Sequence, residues 1–223
     1  GVVPVAGSTS TDNDAAPGRI RVATTADGGV GGTGGAGASD GTPQVDLNQV
    51  TARKNLHETA FFFPQLTTDA EGSVRLAFTM QEALTQWRFM GFAHDAQCRS
   101  GYLEDKLVTA KDLMVQPNPP RFLREGDEIE IAVKVSNQSA AGQSGKVRLT
   151  FTDAQTGQSV DALLGNRTPE MTFDVPSKES RSYSWRIQVP DGCGFLTYKT
   201  VASAGRVSDG EEGYLPVLSR RVL

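Results

Sequence analysis

The chain is short of the residues that carry most protein chemistry. Its 223 residues include two cysteines and two histidines, too few for a dense disulfide framework, a four-thiolate zinc site or an ordinary acid–base centre. No apolar run comes near the roughly 18 residues that a membrane-crossing helix needs. Positive charge is not in excess either. With 22 Lys and Arg against 26 Asp and Glu, the net charge is −4 and the pI 5.3, the wrong sign for the basic face that holds nucleic acid. Nucleic acid is therefore not an expected partner, and with so few reactive side chains neither a cofactor nor a small-molecule substrate is expected.

A second scarcity is local. Residues 1–50 contain no Phe, Trp or Tyr and hold 11 of the 24 glycines. Ordering such a segment costs about 1–2 kcal/mol of backbone entropy per residue, with almost no burial to offset it. The densest part, Gly28-Gly29-Val30-Gly31-Gly32-Thr33-Gly34-Gly35, reads as a flexible tether, and only Arg19-Ile20-Arg21-Val22 has any strand character. Gly1 stands in place of Met, and no basic start with an apolar centre marks a signal peptide. The segment is expected to be cut from a longer protein.

From Thr51 the apolar pattern changes to a period of two, as in strands with one buried face. Strands are predicted at Ala60–Phe63, at Val74, Leu76 and Phe78 after the Asp69-Ala70-Glu71-Gly72 turn, and at Trp87, Phe89 and Gly91. Met114-Val115 and Pro117 to Pro120 read as a proline-stiffened connection and a domain boundary. Beyond it Ile129, Ile131, Val133 and Val135 face one way, while Glu128, Glu130, Lys134 and Ser136 face the other. Further strands are expected at 147–152, 171–175, 183–189, 196–202 and 214–218. Short strands at this spacing describe a β-sandwich. Gln81–Leu84 is at most one helical turn, so the class is all-β. Trp87 and Trp185 occupy inward positions and are expected in cores.

Several motif fragments fail for want of their structural context. Gly29, Gly31 and Gly34 match G-x-G-x-x-G, but no buried strand precedes them and no helix follows to hold a pyrophosphate. His57-Glu58 begins a zinc-protease signature, yet Phe61 stands where the second histidine belongs. Asp12-Asn13-Asp14 lacks the glycine and bidentate glutamate of a calcium loop. No metal site is predicted. Cys98 and Cys193 have no basic neighbour to activate them; they are read as independent thiols, and a disulfide requires their two loops to meet. Arg19 and Arg21 are isolated cations in an unpacked, glycine-flanked segment, the kind of backbone that a protease draws into its cleft. They are either cleavage sites or ordinary linker charges.

One resemblance runs through these pieces. Glu58-Thr59-Ala60-Phe61-Phe62-Phe63-Pro64, then Asp69-Ala70-Glu71-Gly72, then Glu82-Ala83-Leu84-Thr85-Gln86-Trp87-Arg88 resembles the alpha-2-macroglobulin family just after its bait region. There an E-T-x-x-W/F strand is followed by D-x-x-G and P-D-T-I-T-x-W. Pro117-Asn118-Pro119-Pro120-Arg121-Phe122-Leu123-Arg124-Glu125-Gly126-Asp127, with the strand to Val135-Ser136-Asn137, looks like the start of the next macroglobulin-like domain. The match spans residues 56–223 and is closest in wording to bacterial, Bacteroidetes-type members. Glu82-Ala83 replaces Pro-Asp, and the thioester C-G-E-Q is absent, since Cys98 precedes Arg99-Ser100 and Cys193 precedes Gly194-Phe195.

The resemblance implies a large extracytoplasmic endopeptidase inhibitor, in the periplasm or at the cell surface, that traps a protease after its bait is cut. It implies no enzyme activity. Its partners are target proteases and the neighbouring domains of the same chain. Residues 1–50 fall at the bait position, with Arg19 and Arg21 as candidate cleavage sites. Residues 51–113 become the C-terminal part of one macroglobulin-like β domain, which the family interrupts with its bait. Residues 114–223 become a complete sandwich of immunoglobulin or fibronectin-III type. The alternative reading is an immunoglobulin-like surface adhesin or scaffold module with a glycine linker.

Overall fold

The computed structural model describes Arg21–Val22 and residues 46–220. Arg19, the 28–35 glycine tract and Asp12-Asn13-Asp14 lie outside the described residues. The described residues fall into two compact units, one holding Arg21–Val22 and Asn55–Ala83, the other residues 46–54 and 84–220. Among the described residues there is no α-helix, and none is long and apolar enough to cross a membrane.

The smaller unit contains one two-residue ladder, β1 (Arg21–Val22) parallel to β2 (Arg75–Leu76). The strand expected at Ala60–Phe63 does not form. Instead the Phe61 ring stacks on Phe63 at 5.3 Å and meets Phe78 at 4.2 Å, while Phe62 is 80% exposed. A short apolar run makes a strand only where a neighbouring backbone completes its hydrogen bonds. Residues 59–63 take no part in any strand ladder among the described residues.

In the larger unit β3 (Gln86–His94) pairs with β4 (Ser100–Val108) in a nine-residue antiparallel register. The sequence does not announce β4, because Tyr102, Glu104 and Lys106 alternate with Leu103, Asp105 and Leu107 and neither face is purely apolar. Trp87 is half-buried rather than in a core, and its Nε1 donates to Thr109 Oγ1 at 3.0 Å.

The sandwich comprises β5 (Leu113–Asn118), β6 (Leu123–Arg124), β7 (Glu128–Asn137), β8 (Gln143–Asp153), β9 (Glu170–Val175), β10 (Ser180–Gln188), β11 (Leu196–Ser203), β12 (Ser208–Leu215) and β13 (Val217–Leu218). One sheet has the order β10-β7-β5, the other β12-β11-β8-β9. Parallel pairing of β6 with β13 adds a small separate sheet. Three strands facing four is the immunoglobulin/fibronectin-III-like plan, so the fold is the expected all-β sandwich.

Alternation explains the layers. Ile131, Val133 and Val135 of β7 are buried as predicted and meet Val147, Leu149 and Phe151 of β8 in the core. Trp185 is buried there too, its Nε1 donating to Thr168 O and Pro169 O. Ser136 departs from the pattern: it is buried, and its Oγ accepts from Ser180 Oγ at 2.9 Å. The 114–120 connection also resolves differently, since its first half is strand β5. Pro117 is tolerated because β5 is an edge strand with one ladder partner. Asn137, fully buried, donates from Nδ2 to Ala141 O, Val175 O and Pro176 O, and accepts from Ser139 N at Oδ1. One side chain thus closes the turns at this end.

The sheet is tightest where β8 begins. A Cβ at Gly145 would sit 2.1 Å from Ser203 O, a backbone atom. Gly145→Ala is expected to cost about 1–3 kcal/mol through overpacking, measured as a lower urea midpoint by near-ultraviolet circular dichroism.

Candidate functional site

The site is built where the stretch after the glycine-rich segment meets the sandwich, within the larger unit. Asp46 caps a short turn over Leu47–Gln49, its Oδ1 accepting from Asn48 N at 2.9 Å. The turn brings Leu47 and Val50 against Val201. Val201 lies on the face of β11 opposite core residues such as Ala202, yet it is 1% exposed because this strap covers it. Arg148 of β8 holds the strap's start, donating to Leu47 O at 3.2 Å and Asn48 Oδ1 at 3.0 Å. The strap then passes Gly210, where a Cβ would lie 3.0 Å from Ala52 Cα and 3.1 Å from Val201 Cγ1. Only glycine lets the two backbones approach so closely.

At Arg53 the strap becomes one residue of added strand. Arg53 N donates to Gly210 O at 2.8 Å, and Glu212 N donates to Arg53 O at 3.0 Å. The Arg53 side chain, 7% exposed, enters the margin between β12 and β5. Its Nε donates to Asp209 Oδ1 at 3.0 Å, and its Nη2 lies 3.1 Å from each of Asp209 Oδ2, Glu211 Oε2 and Val115 O. Asp209 has no exposed surface. It also accepts from Lys111 Nζ at 2.9 Å and Val115 N at 3.0 Å. Both peptide groups on the free edge of β5 at Val115 are satisfied in this way. Outside the slot, Lys54 pairs with Glu212 at 3.0 Å.

Burial pushes the Glu211 carboxyl above its ordinary value of 4.5, although Arg53 pulls it down; nearby Asp209 adds to the rise. Burial likewise pushes the Cys193 thiol up, with Asp153 and Glu125 adding to it. Cys98 is exposed and both thiols are free. Among the described residues no group of three His, Cys, Asp or Glu is placed to hold a metal. The buried cluster pairs charges and donors with acceptors; it presents no nucleophile beside a base, and what it can do chemically is hold a strand.

Sequence reading did not find this site. Of its candidate residues, Arg19 lies outside the described residues, and Arg21 is placed by its backbone alone, opposite Arg75 in the β1–β2 ladder. Arg53, Lys111, Asp209 and Glu211 were not singled out. The signal was present in β12, where Asp209 and Glu211 share a face with buried Leu215. Two acids on an inward face require a cation.

Three outcomes are expected. Asp209→Ala leaves Arg53 buried without its main acceptor and should cost about 3–5 kcal/mol in urea unfolding. Glu211 has a folded-state pKa above its unfolded one, so the stability it contributes is complete below the unfolded value and fades as pH rises through the folded value. Glu211→Gln should remove that decline upward from about pH 4.5, seen as a flatter pH profile of unfolding free energy. With a thiol-specific alkylating agent under native conditions, Cys98 should be modified and Cys193 protected, read by peptide mass mapping.

The model of the Alpha-2-macroglobulin family matches residues 59–149. The alpha-2-macroglobulin homolog of Nostoc sp. is 27% identical over 144 residues, covering 64% of this chain and 7% of that protein. The alpha-2-macroglobulin of Thermotoga maritima is 25% identical over 172 residues, covering 76% of this chain and 10% of that protein. The chain thus spans a tenth or less of the length of these curated relatives. Trypsin-activated alpha-2-macroglobulin from Escherichia coli superposes with a TM-score of 0.55 over 68% of this chain and 10% of that one, at 16% identity, a likeness of fold. Motif order, the three-on-four sandwich and these matches agree: residues 59–149 match the alpha-2-macroglobulin family, and the sandwich shares the fold of bacterial alpha-2-macroglobulin.

Proposed function

We propose that the chain is part of a bacterial alpha-2-macroglobulin-like protease trap and includes the segment that the target protease cuts. The observation that carries this reading is the junction at residues 46–54. A glycine-rich stretch without aromatic residues runs directly into a strap anchored on the sandwich. A protease bait needs accessible backbone beside a firm body that registers the cut; the composition of the first fifty residues fits the former and the anchored strap the latter. Arg19 and Arg21 are the candidate cleavage sites. For Arg21, the two-residue pairing with Arg75–Leu76 must open before a protease can draw the backbone into its cleft.

The relatives support proteases as partners of the full-length protein. The superposed Escherichia coli structure is of the trypsin-activated form, and a second is of that protein activated by porcine elastase. Residues 51–113 form no closed sandwich among the described residues, and Phe62, Phe63 and Leu66 are exposed. Both facts fit a domain whose other strands come from elsewhere in the parent protein, which makes neighbouring domains of the same chain the second class of partner. The parent is assigned to the space outside the cytoplasm. The likeness to alpha-2-macroglobulins supports a binding role for this part of the protein rather than an enzymatic one. The adhesin or scaffold reading is not favoured, because the family match runs from residue 59 into the first strands of the sandwich.

Limited digestion with an arginine-specific endopeptidase tests the bait assignment. The first cuts are expected after Arg19 and Arg21, with the sandwich resistant, and replacing both by Gln should slow cleavage of the first fifty residues at least ~10-fold. First cuts within the β regions, or resistance throughout residues 1–50, would count against it. In the full-length protein, a captured protease should lose activity on large protein substrates and keep it on small peptides.

A further inference from the structure

We infer that the margin between β12 and β5 is a recognition site for an arginine-bearing extended strand, and that residues 46–54 are its ligand in cis. The strap has the parts of a bound peptide. Its backbone adds to the edge of β12 through Arg53 N to Gly210 O and Glu212 N to Arg53 O, which is strand addition to an exposed sheet edge. Two apolar anchors, Leu47 and Val50, sit on Val201. One side chain, Arg53, enters a buried slot whose shape suits a guanidinium.

The slot reads more than charge. Nε and Nη2 address the two oxygens of Asp209 as a fork, while Nη2 also reaches Glu211 Oε2 and the Val115 carbonyl. A lysine carries the charge without the planar fork, so it can meet one oxygen but not the set. The charged groups facing Arg53 are Asp209 and Glu211, with Lys111 sharing Asp209 Oδ1 with Arg53 Nε. Two acids against Arg53 and Lys111 balance. With Arg53 withdrawn, the buried slot holds one uncompensated negative charge, a state that favours rebinding of an arginine. Gly210 is part of the site because a side chain there would meet Ala52 and Val201 and lift the strap.

The inference does not depend on the trap reading. If the bait is cut, however, the site has a defined consequence: the stub C-terminal to the cut stays on the sandwich as an added strand.

The test uses the whole chain with recognition sequences for a sequence-specific endopeptidase inserted before residue 44 and after residue 57, so that digestion frees the strap as a peptide. In the wild-type background the peptide should remain with the sandwich on gel filtration. With Arg53→Met it should dissociate at least ~100-fold faster, the factor expected when one partner of a buried charge pair is removed. Arg53→Lys should fall between the two. Loss of the wild-type peptide as rapid as that of the Met variant, or equal retention of all three, would overturn the proposal. If digestion unfolds the sandwich, hydrogen exchange in the uncut chain decides. Arg53→Met should then expose the amides of Arg53 and Glu212 while that of Phe151 stays protected, and unchanged protection at Arg53 and Glu212 would refute the site. A protein that captures no protease but retains its strap refutes the trap reading alone.

Discussion

Asp209 is a carboxylate with no exposed surface, placed where two sheets meet at an open margin. A two-layer sandwich closes its faces by apolar packing but leaves edge strands with unpaired peptide groups. On β5 those groups are Val115 N and O, and on β12 they include Gly210 O and Glu212 N. Asp209 accepts from Val115 N, and Arg53 supplies donors to Val115 O and Gly210 O and an acceptor for Glu212 N. One acid and one base from distant parts of the chain therefore complete an edge that neither sheet completes alone.

A buried ion pair is a weak source of net stability, since desolvation consumes most of the attraction. Its strength lies in selecting one arrangement. A slip of the strap by one residue would bring Ala52 or Lys54 to the slot, leaving Asp209 without its guanidinium fork and with Lys111, or Lys111 and Lys54, as its only cations. Leu47 and Val50 would tolerate small displacements over Val201, but the Arg53 contacts would not. Apolar burial thus provides affinity for the strap, and the charged cluster sets its register. The glycine-rich sequence consequently leads into a fixed point on the sandwich.

How much was legible varied with the environment of each element. The strands of the sandwich were visible because each has one face in a common core, as with Ile131, Val133 and Val135, so that period-two burial is written directly into the residue order. Strand β4 was not visible, because its side chains alternate between mixed sets and its pairing with β3 is a backbone matter. Strand β5 was mistaken for a connection on account of its prolines, which an edge strand accommodates. The run of phenylalanines at 61–63 had the composition of a strand but packs through its rings, Phe61 against Phe63 and Phe78. The strap was hidden for another reason: nothing in Leu47, Val50 or Arg53 distinguishes a docked segment from the end of a linker until Val201 and Asp209 are brought beside it.

By itself the sequence determined the all-β class, the apolar faces of the sandwich, the family and the contrast between a glycine-rich start and a packed remainder. Each of these follows from local composition, residue order or periodicity, and requires no knowledge of which distant segments meet. The tertiary structure alone decided that residues 46–54 join the sandwich, and that Arg53 fills a slot made by residues 62 to 158 positions away. Such a site exists only when two sheet edges come together, because a buried carboxylate is tolerable only beside the cation that the completed fold delivers to it.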